Sequence, residues 1–157
     1  MEAAGYDRLS KLASDSGEVG TAGLGNCIAV VGFNGSKQMA IAHYNTLNCM
    51  GTPSNSSQWN EASLTNFRDW FVKQTKATKF MVGLGGVWFD NPSDSRFELV
   101  KLVTKVFGYE PTAAASCFTC TVKNGSGILT PHANSDVMPQ GWGQMGLLIP
   151  YDQLKGR

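Results

Sequence analysis

The order of apolar spacings along this chain predicts an α/β layered sandwich, a mixed, largely antiparallel sheet with two main packing helices. Three observations carry the prediction. Two stretches, Asn60 to Ala77 and Ser95 to Phe107, repeat their apolar residues at helical spacing. Around them lie short apolar and β-branched runs bounded by Gly, Asn and Pro, as strands are. A length of 157 residues with a hydrophobic fraction of 42% supports one substantial core, so residues 1–157 read as a single domain.

Taken in order, Tyr6, Leu9 and Leu12 stand at helical spacing and predict a short helix over residues 6–16, closed at Ser16-Gly17. Glu18 to Thr21 is extended and leads into Gly23-Leu24-Gly25. A strand headed by Cys27, a turn at Asn34-Gly35-Ser36 and a return strand through Met39-Ala40-Ile41-Ala42-His43 form a hairpin. Tyr44 to Ser57 is polar and rich in turn formers, which fits either a surface loop rimming a neighbouring site or a plain connector. In the helix over Asn60 to Ala77, Leu64, Phe67, Trp70, Phe71 and Ala77 share one side.

Lys79 to Leu84 is a strand running into Gly85-Gly86. The cluster Gly83-Leu84-Gly85-Gly86 lacks the lysine and hydroxyl residue of a nucleotide loop and reads as a tight turn. Ser95-Arg96-Phe97-Glu98 has capping-box spacing, Phe97, Val100, Val103 and Phe107 recur on one side, and Gly108 with Pro111 stops the helix. Strands follow at Ala115–Lys123 and Gly127–His132, joined by Asn124-Gly125-Ser126, and a last strand over Gln144 to Ile149 ends at Pro150. Trp142, between two glycines, is either a contact residue or an aromatic plug over the core.

Composition narrows the function. A charged fraction of 16% and a net charge of +1 give no electrostatic footprint for nucleic acid. There is no apolar run of membrane-spanning length, and Met1 to Arg8 lacks the basic-then-apolar layout of a secretory signal. The four cysteines, at 27, 49, 117 and 120, are scattered in a chain large enough not to need disulfides. Cys117 and Cys120 have zinc-like spacing, but three residues apart on a strand they point to opposite faces, so they read as small core residues. No metal and no cofactor is expected.

The candidate chemistry lies in the hairpin. A nucleophilic cysteine needs an imidazole to take its proton and return one to the leaving group, and the chain has two histidines. If the loop is the three residues Asn34 to Ser36, Phe33 stands opposite Lys37 and Cys27 opposite His43, with Cβ atoms roughly 4.5–5.5 Å apart. A two-residue Asn34-Gly35 turn shifts the register by one and sends His43 to the other face, unless a bulge restores it. Gly23-Leu24-Gly25 suits a turn that presents backbone N–H groups beside the nucleophile, with Asn26 and Gly25 as oxyanion support. Cys49 is a rival nucleophile without a histidine in register, and His132 is the alternative base.

The run Thr21-Ala22-Gly23-Leu24-Gly25-Asn26-Cys27, followed by a small and β-branched strand and Ala42-His43, resembles the active-site segment of CheD, the chemoreceptor glutamine deamidase. The wider superfamily includes the catalytic domains of cytotoxic necrotizing factor toxins, which deamidate a glutamine on host GTPases. The resemblance implies Cys27 as nucleophile, His43 as general base and acid, and Thr21, by side chain or backbone, as the group that orients the histidine. As topology it covers most of the chain, and as sequence it is carried by Thr21 to His43. Where a chemoreceptor deamidase has Ile-Gly-x-Arg-Asn and Gly-Gly-x-x-Gly-Arg, this chain has Asp94-Ser95-Arg96 and Asn124-Gly125-Ser126.

The resemblance therefore implies first a bacterial toxin or delivered effector that deamidates a glutamine of a partner protein, as a monomer acting in the cytosol of the cell it enters. A cytoplasmic chemoreceptor deamidase, and a non-catalytic binding module with Cys27 in its core, are the other two readings.

Overall fold

The computed structural model describes residues 1–14, 17–35, 38–88, 94–123 and 126–156. Nine strands are described: β1 (Glu2–Ala3), β2 (Arg8–Leu12), β3 (Gly17–Ala22), β4 (Cys27–Asn34), β5 (Gln38–Asn45), β6 (Lys79–Leu84), β7 (Cys117–Lys123), β8 (Ser126–His132) and β9 (Leu147–Leu148). The helices are α1 (Glu61–Thr75), α2 (Asp94–Phe107) and the short α3 (Tyr151–Leu154). The α/β class and the mixed, largely antiparallel pairing agree with the expectation. The strands form two sheets rather than one. A five-stranded antiparallel sheet runs β6-β4-β5-β2-β9, and a four-stranded sheet runs β1-β3-β7-β8 with only the β1–β3 pair parallel.

Strand periodicity explains the layering. In β4, Ile28 and Val30 turn toward the helices, where they meet Leu64, Phe67, Phe71, Leu99 and Val103. Ala29, Val31 and Phe33 turn the other way and meet Val19, Phe118, Cys120 and Val122 of the four-stranded sheet. The central hairpin is thus buried on both faces, and its sequence reads as a continuous apolar run for that reason. Phe67 and Phe71 are fully buried, and truncating either to alanine costs about 3–5 kcal/mol.

Helix α1 matches its sequence signals. The Asn60 side chain accepts a hydrogen bond from Ser63 N at 3.1 Å, and Lys76 closes the helix at φ 60° in the left-handed region. In α2, Gly108 ends the helix as expected, its N–H donating to Thr104 O at 2.9 Å with φ 67°. The buried face of α2 differs from the expectation. It is formed by Leu99, Leu102, Val103, Val106 and Phe107, while Phe97 is 67% exposed beneath the Lys101 ammonium. The helix begins at Asp94, so Ser95 lies inside its first turn rather than capping it.

Three further expectations are corrected. Residues 8–12 form a strand, not part of a helix, because the edge of β5 needs a partner: Leu9, Ser10, Lys11 and Leu12 pair with Ala42, Ile41, Ala40 and Met39. That gain is non-local, and the 3-residue spacing of Tyr6, Leu9 and Leu12 carries no trace of it. Tyr44 and Asn45 belong to β5 rather than to a surface loop. Tyr44 is buried with its ring 4.4 Å from that of Phe67, and Cys49 is buried as the last residue of a 3-10 turn over Thr46–Cys49. Near the C-terminus, the expected strand over 144–149 shrinks to β9, preceded by a 3-10 turn at Trp142–Gln144. Ser16, Ser36, Asn124 and Gly125, where turns are expected, lie outside the described residues. No described helix is long and apolar enough to cross a membrane.

Candidate active site

The central hairpin sets the site, in a register different from the one anticipated. Asn34 stays in the strand and pairs with Gln38, and Phe33 stands opposite Met39 rather than the expected Lys37. Cys27 therefore stands opposite Asn45, and His43 opposite Ala29. A shift of two residues leaves every side chain on its original face. Cys27 and His43 remain on the face turned toward the four-stranded sheet, now as diagonal rather than direct neighbours, a relation of roughly 7–8 Å between positions and less between side chains.

Thr21 reaches the histidine from the opposing sheet. Its Oγ1 lies 2.9 Å from His43 Nδ1 and 2.7 Å from the carbonyl oxygen of Ala4. A carbonyl only accepts, so the single hydroxyl proton goes to Ala4 and the hydroxyl oxygen must accept from Nδ1–H. This fixes the tautomer: His43 carries its proton on Nδ1, and Nε2 keeps a free lone pair. Ala4 is itself held, its N–H donating to Gly20 O at 2.9 Å. Both Thr21 and His43 are buried, and burial lowers the histidine pKa to about 4, against an opposing pull from the Asp7 carboxylate.

Cys27 is 9% exposed. Burial, and secondly the Asp7 charge, push its thiol up to about 11, and its Sγ lies 4.0 Å from Asn26 Oδ1. At neutral pH the resting pair is thus a neutral thiol beside a neutral imidazole rather than an ion pair.

The loop before Cys27 is held through its carbonyl oxygens. Gly86 N donates to Leu24 O, Val87 N to Gly25 O, and Gly85 N to Cys27 O at 2.8, 3.0 and 2.8 Å. The remaining carbonyl, that of Asn26, accepts from the Thr46 hydroxyl and from Trp88 Nε1. In a trans peptide the N–H points opposite to the preceding C=O. The N–H groups of Gly25, Asn26 and Cys27 therefore each point opposite to the bonded carbonyl of their own peptide, those of Leu24, Gly25 and Asn26. The glycine cluster expected to be a mere turn supplies this clamp on the carbonyls. A Cβ on Gly85 would sit 2.3 Å from Gly25 O and 2.5 Å from Cys27 O, so only glycine fits.

The sequence reading missed a cap over the histidine. The Tyr6 ring stands edge-on to His43 at 5.3 Å and tilts against Trp142 at 4.9 Å. Next to Tyr6, Asp7 accepts from the Tyr151 hydroxyl at 2.8 Å, and the same phenolic oxygen accepts from Asn45 N at 2.9 Å, on the residue opposite Cys27. The false helix over 6–16 hid Tyr6 and Asp7. No local signal ties Tyr151 to either of them.

The remaining candidates lie elsewhere. The Cys49 thiol donates to Thr46 O at 3.2 Å in the core beside Tyr44, and burial pushes it up to about 12. His132 stands opposite Cys117 in the other sheet, its Nε2 at 2.7 Å from Thr119 Oγ1. Cys117 and Cys120 are buried on opposite faces of β7, and among the described residues no group of three or more His, Cys, Asp or Glu is placed to hold a metal. A comparison of the chain with protein-family models and with curated proteins found no match.

Proposed function

We propose that the protein is a cysteine-dependent protein-glutamine deamidase, acting as a bacterial toxin or effector in the cytosol of a cell into which it is delivered. The observation that supports the chemistry is the Thr21–His43 hydrogen bond, which leaves the Nε2 lone pair of a histidine that shares a face with Cys27. The choice of glutamine, and of a delivered effector over a chemoreceptor enzyme, rests on the resemblance of Thr21 to His43 without the later chemotaxis-associated segments.

In the proposed reaction His43 Nε2 takes the Cys27 proton as sulfur attacks the carboxamide carbon, so that thiolate character develops only with the new S–C bond. The oxygen becomes an oxyanion facing the N–H groups of Asn26 and Cys27, whose direction follows from the bonds held by the preceding carbonyls of Gly25 and Asn26. The imidazolium returns its proton to the nitrogen, the C–N bond breaks, and ammonia leaves a thioester. Water, deprotonated by Nε2, then adds, and collapse returns the proton to sulfur and releases glutamate. Thr21 holds the ring so that one nitrogen serves every step.

The test is to incubate wild type and Cys27→Ala with eukaryotic and with bacterial lysates and to map amide-to-acid conversion by peptide mass spectrometry. Conversion with wild type alone in the eukaryotic lysate is the expected result. Conversion confined to the bacterial lysate would move the reading to a chemoreceptor-type enzyme. No difference between folded wild type and variant in either lysate would overturn the deamidase reading.

A further inference from the structure

Asp7 is used by nothing in the chemistry above, yet its surroundings are specific. It lies in the turn between β1 and β2 at φ 59°, a left-handed conformation unusual for a residue other than glycine. Its carbonyl accepts from Ile149 N at 2.8 Å, and the N–H of Arg8 closes back on Gly5 O. One neighbour, Tyr6, caps His43. The carboxylate itself is tied by Oδ1 to the Tyr151 hydroxyl, which in turn receives Asn45 N opposite Cys27. Among the described residues Oδ2 has no hydrogen-bond partner. Burial, first, and the Asp7 hydrogen bond raise the Tyr151 phenol, so it remains a donor.

We propose that Asp7, braced by Tyr151, is a specificity residue that reads the charge of the group presented to Cys27, favouring a neutral carboxamide and rejecting a carboxylate. The inference rests on the deamidase reading for its biological meaning. A carboxamide differs from its hydrolysis product in one place, an NH2 donor replaced by an anionic oxygen. A fixed carboxylate distinguishes the two by accepting from the NH2 and repelling the anion. The same negative charge acts on both reactive groups, raising the proton affinity of Cys27 and of His43. The ionisable groups around this position are Cys27, His43, Tyr6, Tyr151 and Arg8, and the Arg8 guanidinium is occupied with Gly146 O at 3.0 Å. Product glutamate is thereby expelled from the site in which it forms.

The test needs no protein substrate. Iodoacetamide and iodoacetate are a carboxamide and a carboxylate of nearly equal size, and alkylation of Cys27 by each can be followed by peptide mass spectrometry apart from the other three cysteines. The readout is the ratio of the two rate constants, divided by the same ratio for free cysteine in the same buffer. Wild type is expected to prefer iodoacetamide by roughly five- to tenfold over that reference. Asp7→Asn is expected to bring the ratio to that of free cysteine, Asp7→Glu to keep part of it, and Tyr151→Phe to weaken it. A merely structural role alters both rates together and leaves the ratio unchanged, and that outcome in folded Asp7→Asn would overturn the proposal. Failure of wild-type Cys27 to react with either reagent would also overturn it, since the thiol would then present no charge-reading site. Loss of deamidation in lysates with the ratio intact would count against the deamidase reading alone.

Discussion

The molecule contains the same three residue types twice. In the layer between the sheets, Thr21 bonds His43 at 2.9 Å with Cys27 on the same face; on β7 and β8, Thr119 bonds His132 at 2.7 Å with Cys117 directly opposite His132. By register the second trio has its cysteine and histidine directly opposed, and the first only diagonally. What differs is the backbone around them. Cys117 sits within a hairpin where Thr119, Cys120 and Thr121 pair regularly with Thr130, Leu129 and Ile128. Both cysteines begin their strands, but the segment before Cys117 donates an N–H, that of Ala115, to Leu84 O, whereas the loop before Cys27 is held through its carbonyls, which accept from residues 85–88. A Cys, His and Thr close together on a sheet are common; the proposed acyl transfer draws on the N–H groups of the loop before Cys27, whose peptides are held by their carbonyls.

Deleting each thiol in turn gives the sharpest break in that comparison. Cys27→Ala is expected to lower amide conversion by at least about a thousandfold. Cys117→Ala, in the second trio, is expected to leave conversion within about twofold while costing about 1 kcal/mol of stability through its small cavity. Equal losses in the two variants, measured on the same modified peptide, would mean that the wrong trio has been assigned.

Most of this contrast was out of reach of the sequence, while the scaffold was largely within it. The double-sided burial of β4 and β5, the caps of α1 and the Gly108 stop of α2 leave local marks: a continuous apolar run, an asparagine before an amphipathic stretch, a glycine after one. Cys27, His43 and Thr21 could be singled out, and even a register wrong by two residues kept them on one face, because sheet faces repeat every two residues. The hidden features depend on pairings across the chain. Strand β2 forms because β5 needs a partner, Asp7 meets Tyr151 across 144 positions, and Gly85 matters for carbonyls some 60 positions earlier.

The buried histidine gives the comparison a pH signature. Its pKa of about 4 in the folded chain lies below the ordinary 6.5, so the folded state holds fewer protons than the unfolded chain between those values. The His43 contribution to stability is therefore full above pH 6.5 and lost as pH falls through 4, to the extent of up to about 3 kcal/mol. Cys27 runs the other way. Raised from 9.0 to about 11, it supports the folded state below pH 9 and loses that support as pH rises through 11. Urea midpoints measured from pH 4 to 11 should be flat between 6.5 and 9 and fall at both ends, with a shallower acid limb in His43→Gln. An unchanged acid limb in that variant would remove the case for a buried neutral imidazole.

Four substitutions probe the parts that distinguish the trios. Gly85→Ala places a methyl on the Gly25 and Cys27 carbonyls and is expected to cost about 1–3 kcal/mol, with activity falling further than stability because the loop's N–H groups turn. Thr21→Val keeps the shape but leaves Ala4 O and His43 Nδ1 without their shared partner, an expected cost of about 1–3 kcal/mol, whereas Thr21→Ser restores it. Thr119→Val is expected to cost less, since the His132 ring it touches is partly exposed and can turn to water. Thermal unfolding and turnover measured on all four variants rank them. A larger loss from Thr119→Val than from Thr21→Val would reverse the relation drawn between the two trios.

The smallest effect separates two glycines that the sequence treats alike. Gly23 sits at φ 68°, and a Cβ there would lie 2.7 Å from the Tyr6 ring, so alanine is both strained and in the way of the cap over His43. Gly25 has neither feature. Its φ is outside the left-handed region, and a Cβ would meet only Val87 Cγ2 at 3.8 Å, an ordinary contact. Gly25→Ala is therefore expected to leave stability unchanged or to raise it by about 0.4–1 kcal/mol, by removing freedom from the unfolded chain. Gly23→Ala is expected to lower it by more than that. If thermal unfolding instead shows Gly25→Ala to be as damaging as Gly23→Ala, the loop before Cys27 depends on glycine itself at position 25, and the clamp on its carbonyls is not what holds the nucleophile in place.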